Sequence, residues 1–507
     1  MRKISFLIIA AIAMTTVNAQ NSIDGLRYSS EATTGTARFN ALSGAFGALG
    51  GDLSAISINP AGSAVFLNSS GTVSIGANDK ESNASYFNTD TKSIDTDFTI
   101  NQAGAVFVFK NPSEGSKLKK FTFGFNYQQT KNFDNELFIK GTGNNSIGDF
   151  FRNQAQGIPL ELLQLQSGES ISDLYSYLGE TQGVSAQNAF LGYQGFIIDP
   201  IDPDDPSNSE YTSNIAGNRN FNHDYILLSE GSNNKFTANF SAQITDQFYF
   251  GVNLNSHLID YNQSSTLFES NNNDGSTVNL VGFENNLSVQ GSGFSAQFGG
   301  IMKVQNNLRL GLSLETPTWY EITEETSQYL EVQRVANGQS VIETVNPRII
   351  NVYETYYLKT PGKVTASAAY IFGKQALISL DYSYKDYGSI EFDSLDGYDS
   401  YFNTVNNTIE SSLKGASSIR VGGEYRINQL SLRGGLRYEG SPYNNEETIG
   451  DLSGFSLGAG YNLGNYTLDL SYARAEQERN QEMYGLADTA AVETTFSNVI
   501  FSVGFKF

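Results

Sequence analysis

Among the side chains able to serve as nucleophile, general base or metal ligand, this chain of 507 residues has no cysteine and only two histidines, His223 and His257. A thiol nucleophile, a thiolate metal site and a zinc site built on several histidines are excluded by count. His257 stands next to Ser256. Adjacent residues of a strand point to opposite faces, so these two cannot form a nucleophile and base pair. His223 is followed by Asp224, with no evident nucleophile. Asn273-Asp274-Gly275 lacks the acidic ladder of a calcium loop and reads as a hairpin tip. The expectation is a protein that is not an enzyme and uses no cofactor or metal.

A second set of chemically able groups is spaced by strand parity. Arg309, Asp381, Arg420, Glu424, Arg426, Arg433 and Arg437 alternate with apolar residues and should share one face. Such a face is either a ladder of charges that holds a barrel interior together, or a place where an arginine fork meets two carboxylate oxygens. Arg420, Arg433 and Arg437 are the candidates for the second role, and the sequence does not choose among them.

The elements that position these residues are strands. In Phe121, Phe123, Phe125 and Tyr127 the large side chains interleave with Thr122, Gly124, Asn126 and Gln128, and the rhythm recurs to the C-terminus. The spacing predicts about fourteen strands, beginning near Gly71, Asp97, Phe121, Lys235, Gln247, Thr277, Asn307, Ile350, Gln375, Lys414, Gln429, Asp451, Asn465 and Thr495. Periodicity fits a soluble sandwich or a membrane barrel equally well. The connections decide, because tight ones such as Thr245-Asp246, Gln305-Asn306, Gly373-Lys374, Asn428-Gln429 and Gly464-Asn465 alternate with long ones. The long ones fall near 89–96, 134–234, 271–276, 336–347, 393–412, 441–450 and 477–493. Short turns on one side and long loops on the other are the pattern of outer-membrane barrels. The last strand ends flush on Phe507, which resembles the signal read by barrel-assembly machinery.

The N-terminus supports export. Arg2 and Lys3 precede an apolar run from Phe6 to Met14, and Val17-Asn18-Ala19 forms a cleavage site, so residues 1–19 read as a signal peptide. The formal charge of -22 excludes nucleic acid as a partner, which needs basic patches. Solvated acidic loops explain that charge, and a divalent-cation bridge to lipopolysaccharide is the other reading. Outer-membrane lipid and lipopolysaccharide are therefore expected surroundings.

Two segments break the rhythm. Residues 20–69 are rich in Gly, Ala and Ser and precede a barrel spanning 70–507, while 134–234 is too long for a structureless connection and contains amphipathic stretches at Ile158–Leu163 and Ile171–Leu178. The latter is expected to be a partly helical extracellular loop.

The first segment carries Asn40-Ala41-Leu42-Ser43-Gly44-Ala45-Phe46-Gly47-Ala48-Leu49-Gly50-Gly51-Asp52 and then Ser57-Ile58-Asn59-Pro60-Ala61-Gly62. Here the chain resembles the FadL/TodX family of long-chain fatty-acid and aromatic-hydrocarbon transporters. The likeness continues at Leu310–Pro317, Leu358–Val364, Asp381–Tyr387, Arg420–Tyr425 and Leu432–Tyr438. It departs at 134–234, where external cargo would first land. The resemblance implies an all-β transmembrane antiparallel barrel with an N-terminal hatch plugging its lumen, and Asp52, Asn59, Pro60, Ala61 and Gly62 as hatch or gating residues. It implies transport of hydrophobic small molecules, long-chain fatty acids by default, captured in an extracellular groove and released sideways into the membrane. For Asn59-Pro60 a simple turn is the plainer reading. A general porin for polar solutes and a surface adhesion or structural barrel are the other functions compatible with the sequence.

Overall fold

Alternating large and small side chains make strands, and a chain of such strands must either expose its edges or close on itself. The computed structural model describes residues 22–113, 115–217, 219–395, 397 and 399–507. The expected signal peptide lies outside the described residues. Fourteen antiparallel strands close into a barrel. They are β1 Ser70–Tyr86, β2 Thr89–Lys110, β3 Leu118–Asn132 continuing as Asn135–Gly143, β4 Phe221–Ile244, β5 Phe248–Ser270 and β6 Val278–Lys303. Next come β7 Leu308–Glu315 continuing as Trp319–Ala336, β8 assembled from Gln339–Val345, Asn351–Val352, Tyr356–Lys359 and Lys363–Phe372, and β9 Ala376–Asp386 continuing as Glu391–Ser394. The wall is completed by β10 Gly415–Ile427, β11 Leu430–Glu439, β12 Ile449–Asn462, β13 Tyr466–Glu482 and β14 Thr489–Lys506. Each strand pairs with its sequence neighbours, and β1 meets β14 from Ser70↔Lys506 to Ser85↔Ala491, which leaves Phe507 at the barrel rim.

The outer face shows what solvates the barrel. Along β4 the outward residues Phe236, Phe240 and Ile244 are exposed and apolar, whereas Asn234, Ser232 and Glu230 continue the same face as polar groups. The apolar part is about the 9–11 residues that a tilted strand needs to cross hydrocarbon. Phe248, Phe250, Leu254 and Leu258 repeat the band on β5, and Leu432, Leu436, Leu457, Leu470 and Phe501 carry it around the barrel. Only lipid satisfies such a girdle. No helix among the described residues is long and apolar enough to cross a membrane.

Strands β4, β5 and β6 run for 24, 23 and 26 residues, so the wall continues well past the hydrocarbon on the side opposite the tight turns. This corrects several predicted loops. Residues 89–96 and 339–345 are strand, and the insertion is confined to 144–220 because 135–143 and 221–234 remain in the sheet. Outside the membrane neither strand face need be greasy, so stretches such as Thr89-Asp90-Thr91-Lys92-Ser93 lose the alternation that betrays a strand.

The insertion folds into the mouth of the extended barrel. It contains helices Ile147–Ala155, Ile171–Thr181 and Val184–Gln194 and a short turn of 3-10 helix at Leu160–Leu162. Two of these helices, Ile147–Ala155 and Val184–Gln194, go beyond the stretches expected from sequence. Ser170 and Asp173 form a reciprocal capping box that starts the second helix. Phe151, Leu174, Leu178 and Phe190 are buried against Leu227, Leu267, Phe283 and Val332 of the wall, so the inner face of the upper barrel is apolar and covered. A buried polar chain pins the first helix there. Glu269 accepts hydrogen bonds from Ser146 Oγ at 2.5 Å and Ile147 N at 2.7 Å, and lies 3.0 Å from His223 Nε2. The other ring nitrogen of His223 is 2.9 Å from Tyr86 Oη.

Candidate functional site

Below this cap the lumen is filled by residues 22–66, and the local sequence explains their shape. Thr36 caps the short helix Ala37–Asn40 by accepting from Phe39 N. Asn59 caps a 3-10 turn, Pro60–Val65, by accepting from Ala61 N at 3.1 Å, with Pro60 at the first position where its missing N–H costs nothing. Gly50, at φ +61°, brings its own turn against the backbone of Gly62, and Gly51 N donates to Gly62 O at 3.0 Å.

Asp52, Asn59, Pro60, Ala61 and Gly62 are therefore brought together inside the hatch, and each has a distinct part. Asp52 accepts from Thr36 Oγ1 at 2.8 Å and from Ser54 N at 2.9 Å, bracing the segment internally. Burial pushes its carboxyl upward, against the pull of Arg38 and of those two hydrogen bonds. Asn59 bridges hatch and wall, donating to Gly47 O of the hatch at 2.8 Å and to Gly300 O of β6 at 3.1 Å. The wall accommodates this element with glycine. A Cβ at Gly251 would overlap the Pro60 backbone, and one at Gly299 would overlap Asn59 Oδ1.

The inner face of β4, β5 and β6 carries an amide ladder that reads the hatch backbone. Asn239 Nδ2 donates to Pro60 O at 3.0 Å, Asn253 Nδ2 to Ile56 O at 2.9 Å and Gln297 Nε2 to Ile58 O at 3.0 Å. The three amides also bond to one another, at 2.7 and 2.8 Å. Strand spacing marks these amides only as polar residues on one face and does not show that they meet the hatch.

The opposite wall holds the hatch by charge. Asp381 accepts from Phe46 N and Gly47 N, both at 2.9 Å. Glu424 accepts from Arg38 Nε of the hatch at 2.9 Å and from Arg433 Nε at 2.7 Å, and Arg433 also donates to Asp469 at 2.6 Å. Arg437 donates to Thr33 Oγ1 at 2.7 Å, Arg420 to Glu439 at 3.2 Å and Arg309 to Leu49 O at 2.8 Å. All the charged residues expected on one face do share the lumen. The forks of Arg420, Arg433 and Arg437 are each engaged, and Arg433 is divided between two carboxylates.

His257 meets a hydroxyl that spacing did not reveal. Ser256 points away, but Ser295 of β6 places its Oγ 2.9 Å from His257 Nε2. Asn255 donates to the same oxygen at 3.2 Å. Among the described residues no hydrogen bond orients the second ring nitrogen of His257, which a nucleophile–base pair requires.

Beside the hatch the ladder between β2 and β3 is interrupted. The β2–β3 ladder runs from Lys110↔Lys120 to Gln102↔Gln128 and goes no further among the described residues. Above it β2 pairs only with β1, and β3 only with β4. Thr130 bulges out of the β3–β4 register. The freed β3 carbonyls are taken by the hatch: Ala32 N donates to Thr130 O at 2.8 Å and Thr34 Oγ1 donates to Gln129 O. Gln128 Nε2 returns a bond to Thr34 O at 2.8 Å. Across the break side chains join the two strands: Asn132 donates to Asp97 at 2.7 Å, and higher up Phe138 N donates to Ser93 Oγ at 2.9 Å and Thr91 Oγ1 to Phe138 O at 2.5 Å.

No protein-family model and no curated protein matches this sequence. Solved structures do match. A Pseudomonas aeruginosa FadL homologue aligns over 94% of this chain and 99% of its own, at 12% identity and a TM-score of 0.55. The toluene transporter TodX of P. putida aligns over 94% and 99%, at 12% identity and a TM-score of 0.52. At that identity the likeness is one of fold, and the fold is the hatch-containing barrel that the sequence resemblance implied.

Proposed function

We propose that this protein carries hydrophobic small molecules across the outer membrane, with long-chain fatty acids as the default cargo. Cargo is captured on the extracellular side, passes a hatch formed by residues 22–66, and leaves sideways into the membrane. The observation that carries this reading is the shared bonding of hatch and wall: the β3 carbonyls that would have closed the barrel against β2 are held by Ala32 and Thr34. A hatch that moves must release that stretch of β3, so plug and side opening are coupled. Two proteins that share this fold, a FadL homologue and a toluene transporter, support hydrophobic cargo.

Physical chemistry favours a sideways exit. A greasy molecule gains about 0.8 kcal/mol per methylene on leaving water, and the lumen at hatch level is lined by amides and charges. On this reading Arg420, Arg433 and Arg437 are places where a cargo carboxylate can replace a present partner once the hatch has moved. Outer-leaflet lipid and lipopolysaccharide surround the barrel, and its terminal strand is handed over by the assembly machinery.

The chain has no native cysteine, so a reversible tether tests the coupling cleanly. In the double variant Ala32→Cys with Thr130→Cys, oxidation should stop uptake of labelled oleate by whole cells, and reduction should restore it. Equal uptake by the oxidised and reduced forms would overturn the gating assignment.

A further inference from the structure

The outer face of the extended wall changes character above the membrane, and the register shows how. Phe236, Phe294 and Trp319, the single tryptophan of the chain, share one cross-strand row with Ser256 and mark the aromatic upper edge of the greasy band. Six residues further along each strand an outward row runs Glu230↔Asn262↔Ser288↔Glu325 across β4 to β7, and the next runs Leu228↔Ser264↔Asn286↔Ser327. At about 3.3 Å per residue and a tilt of about 40°, the lower row stands ~15 Å above the aromatic edge. Polar head groups reach only about 5–8 Å beyond the hydrocarbon on each side. What surrounds an outer-membrane barrel at the height of these rows is therefore sugar.

The two rows floor a trough of about 550 Å³. Their middle members are small and polar, whereas Leu228 stands exposed at one end and Ile350, next to the Thr326↔Asn351 pair, at the other. Apolar ribs around a few convergent polar groups are the make-up of a binding groove. Among the described residues the side chains of Glu230, Asn262, Ser264, Ser288 and Glu325 make no hydrogen bond or ion pair, so their polar ends are open to an external partner. Asn286 is oriented by donating to Glu284 at 2.8 Å. Neither row contains a lysine or arginine, and the intervening outward row toward the membrane is Ser232↔Asp260↔Gln290↔Thr323. A phosphate group requires cations and would meet only carboxylates here. A sugar fits, because its hydroxyls donate to carboxylates and exchange hydrogen bonds with amides, while its C–H faces lie on Leu228 and Ile350.

We propose that this trough binds the oligosaccharide of an outer-leaflet glycolipid, the sugar core of lipopolysaccharide, through direct hydrogen bonds and without a metal bridge. The source follows from continuity. The trough opens on the same face as the greasy band, so acyl chains seated on Phe236, Leu258 and Phe294 lead their own sugars into it. The site is separate from whatever the barrel carries, and its failure would leave the transport reading untouched.

The test uses the full chain, immobilised in a non-ionic detergent with EDTA present, and two probes: lipopolysaccharide bearing a complete oligosaccharide core, and the lipid A prepared from it. The core-bearing probe should bind about tenfold tighter than lipid A, and the free core oligosaccharide should compete with it. Glu230→Gln combined with Glu325→Gln should weaken the core-bearing probe about tenfold and leave lipid A within about twofold. Ser264→Trp, which fills the floor of the trough, should do the same. Equal affinity for the two probes, or an unchanged affinity in both variants, would overturn the site. Binding that appears only when magnesium replaces EDTA would mean that phosphates are bridged, and the direct sugar contact fails. Dextran competing as well as the core oligosaccharide would remove the glycolipid as the source. If Ser264→Trp turns a dimer into a monomer in sedimentation velocity while glycolipid binding is intact, the trough is a contact between copies of this chain and the proposal fails.

Discussion

Glu424 is the best place to weaken the hatch without touching its own fold. Its carboxylate is almost completely buried and accepts from Arg38 of the hatch and from Arg433 and Arg426 of the wall. In Glu424→Gln the wall arginines are altered equally whether the hatch is docked or displaced, so they drop out of the docking equilibrium. Arg38 does not. In the docked state it loses its paired carboxylate and keeps only a long contact to Gly51 O at 3.4 Å and the unbonded charges of Asp52 and Asp469, whereas in the displaced state it is hydrated. Removing one partner of a buried ion pair costs about 3 kcal/mol at the lower end of the usual range, and that end applies because Arg38 keeps 18% of its side-chain exposure. Such a change multiplies the displaced population by ~100. A single thiol placed by Ser57→Cys, buried in the docked hatch, reports that population through its alkylation rate in a chain with no other cysteine. Arg38→Met alone should speed labelling far less, because Glu424 retains two arginines. Combined with Glu424→Gln it should bring the rate most of the way back. Labelling that stays within about threefold of the parent in Glu424→Gln, or a double variant faster than either single one, would refute the reasoning.

Other contacts make sharper contrasts. Asn59→Asp keeps the oxygen that caps Pro60–Val65 but turns a second acceptor toward the carbonyls of Gly47 and Gly300; labelling of the same reporter should rise ~30-fold, for about 2 kcal/mol. Gly299→Ala drives a methyl into Asn59 Oδ1 and should displace the hatch, whereas Gly300→Ala next to it meets nothing closer than 3.7 Å and should behave as the parent in the same labelling assay. Glu269→Gln removes the charge that holds Ser146, Ile147 N and His223. Amide exchange in the helix Ile147–Ala155 should accelerate about tenfold while exchange in β4 and β5 is unchanged, as measured by mass spectrometry.

What the sequence revealed follows from what its period encodes. Parity assigned Arg309, Asp381, Arg420, Glu424, Arg433 and Arg437 to the lumen, and turn chemistry located Thr245-Asp246 and Gly464-Asn465. Parity does not encode height along a strand. Asn239, Asn253 and Gln297 share an inward face with Leu227, Leu267 and Phe283, yet the first three meet the hatch and the others the cap. Cross-strand partners are equally hidden, since His257 finds Ser295 only through the β5–β6 register, which pairs Asn255 with Ser295. The break above Gln102↔Gln128 has no signature in spacing, because Gln129–Asn132 reads as an ordinary polar strand end.

The two plugs of this lumen are attached by different physics, and that difference bears on which one is built to move. The cap buries Phe151, Phe190, Leu174 and Leu178 against an apolar wall. Exposing those four side chains costs about 1.5–3 kcal/mol each, with no compensation from water. The hatch is held mainly by amide, hydroxyl and carboxylate contacts to β4–β6 and β9–β13, each contributing about 0.5–1.5 kcal/mol net because water can replace the partner. Its larger apolar contact with the wall is confined to its first helix, where Leu26 and Tyr28 join Phe133, Tyr261 and Tyr320; from Thr33 onward the apolar contacts are small, as at Ala369 and Leu377, Tyr249 and Ile301, and Val106. A polar docking surface is therefore reversible in the presence of water, and it becomes more so as entering solvent satisfies Asn239, Asn253 and Gln297 in place of the hatch carbonyls. A greasy surface offers no such exchange. On the proposed gating, a fixed roof and a releasable floor follow from which side chains face inward at each height, and the edge of β3 that β2 leaves unpaired lies where the floor is attached.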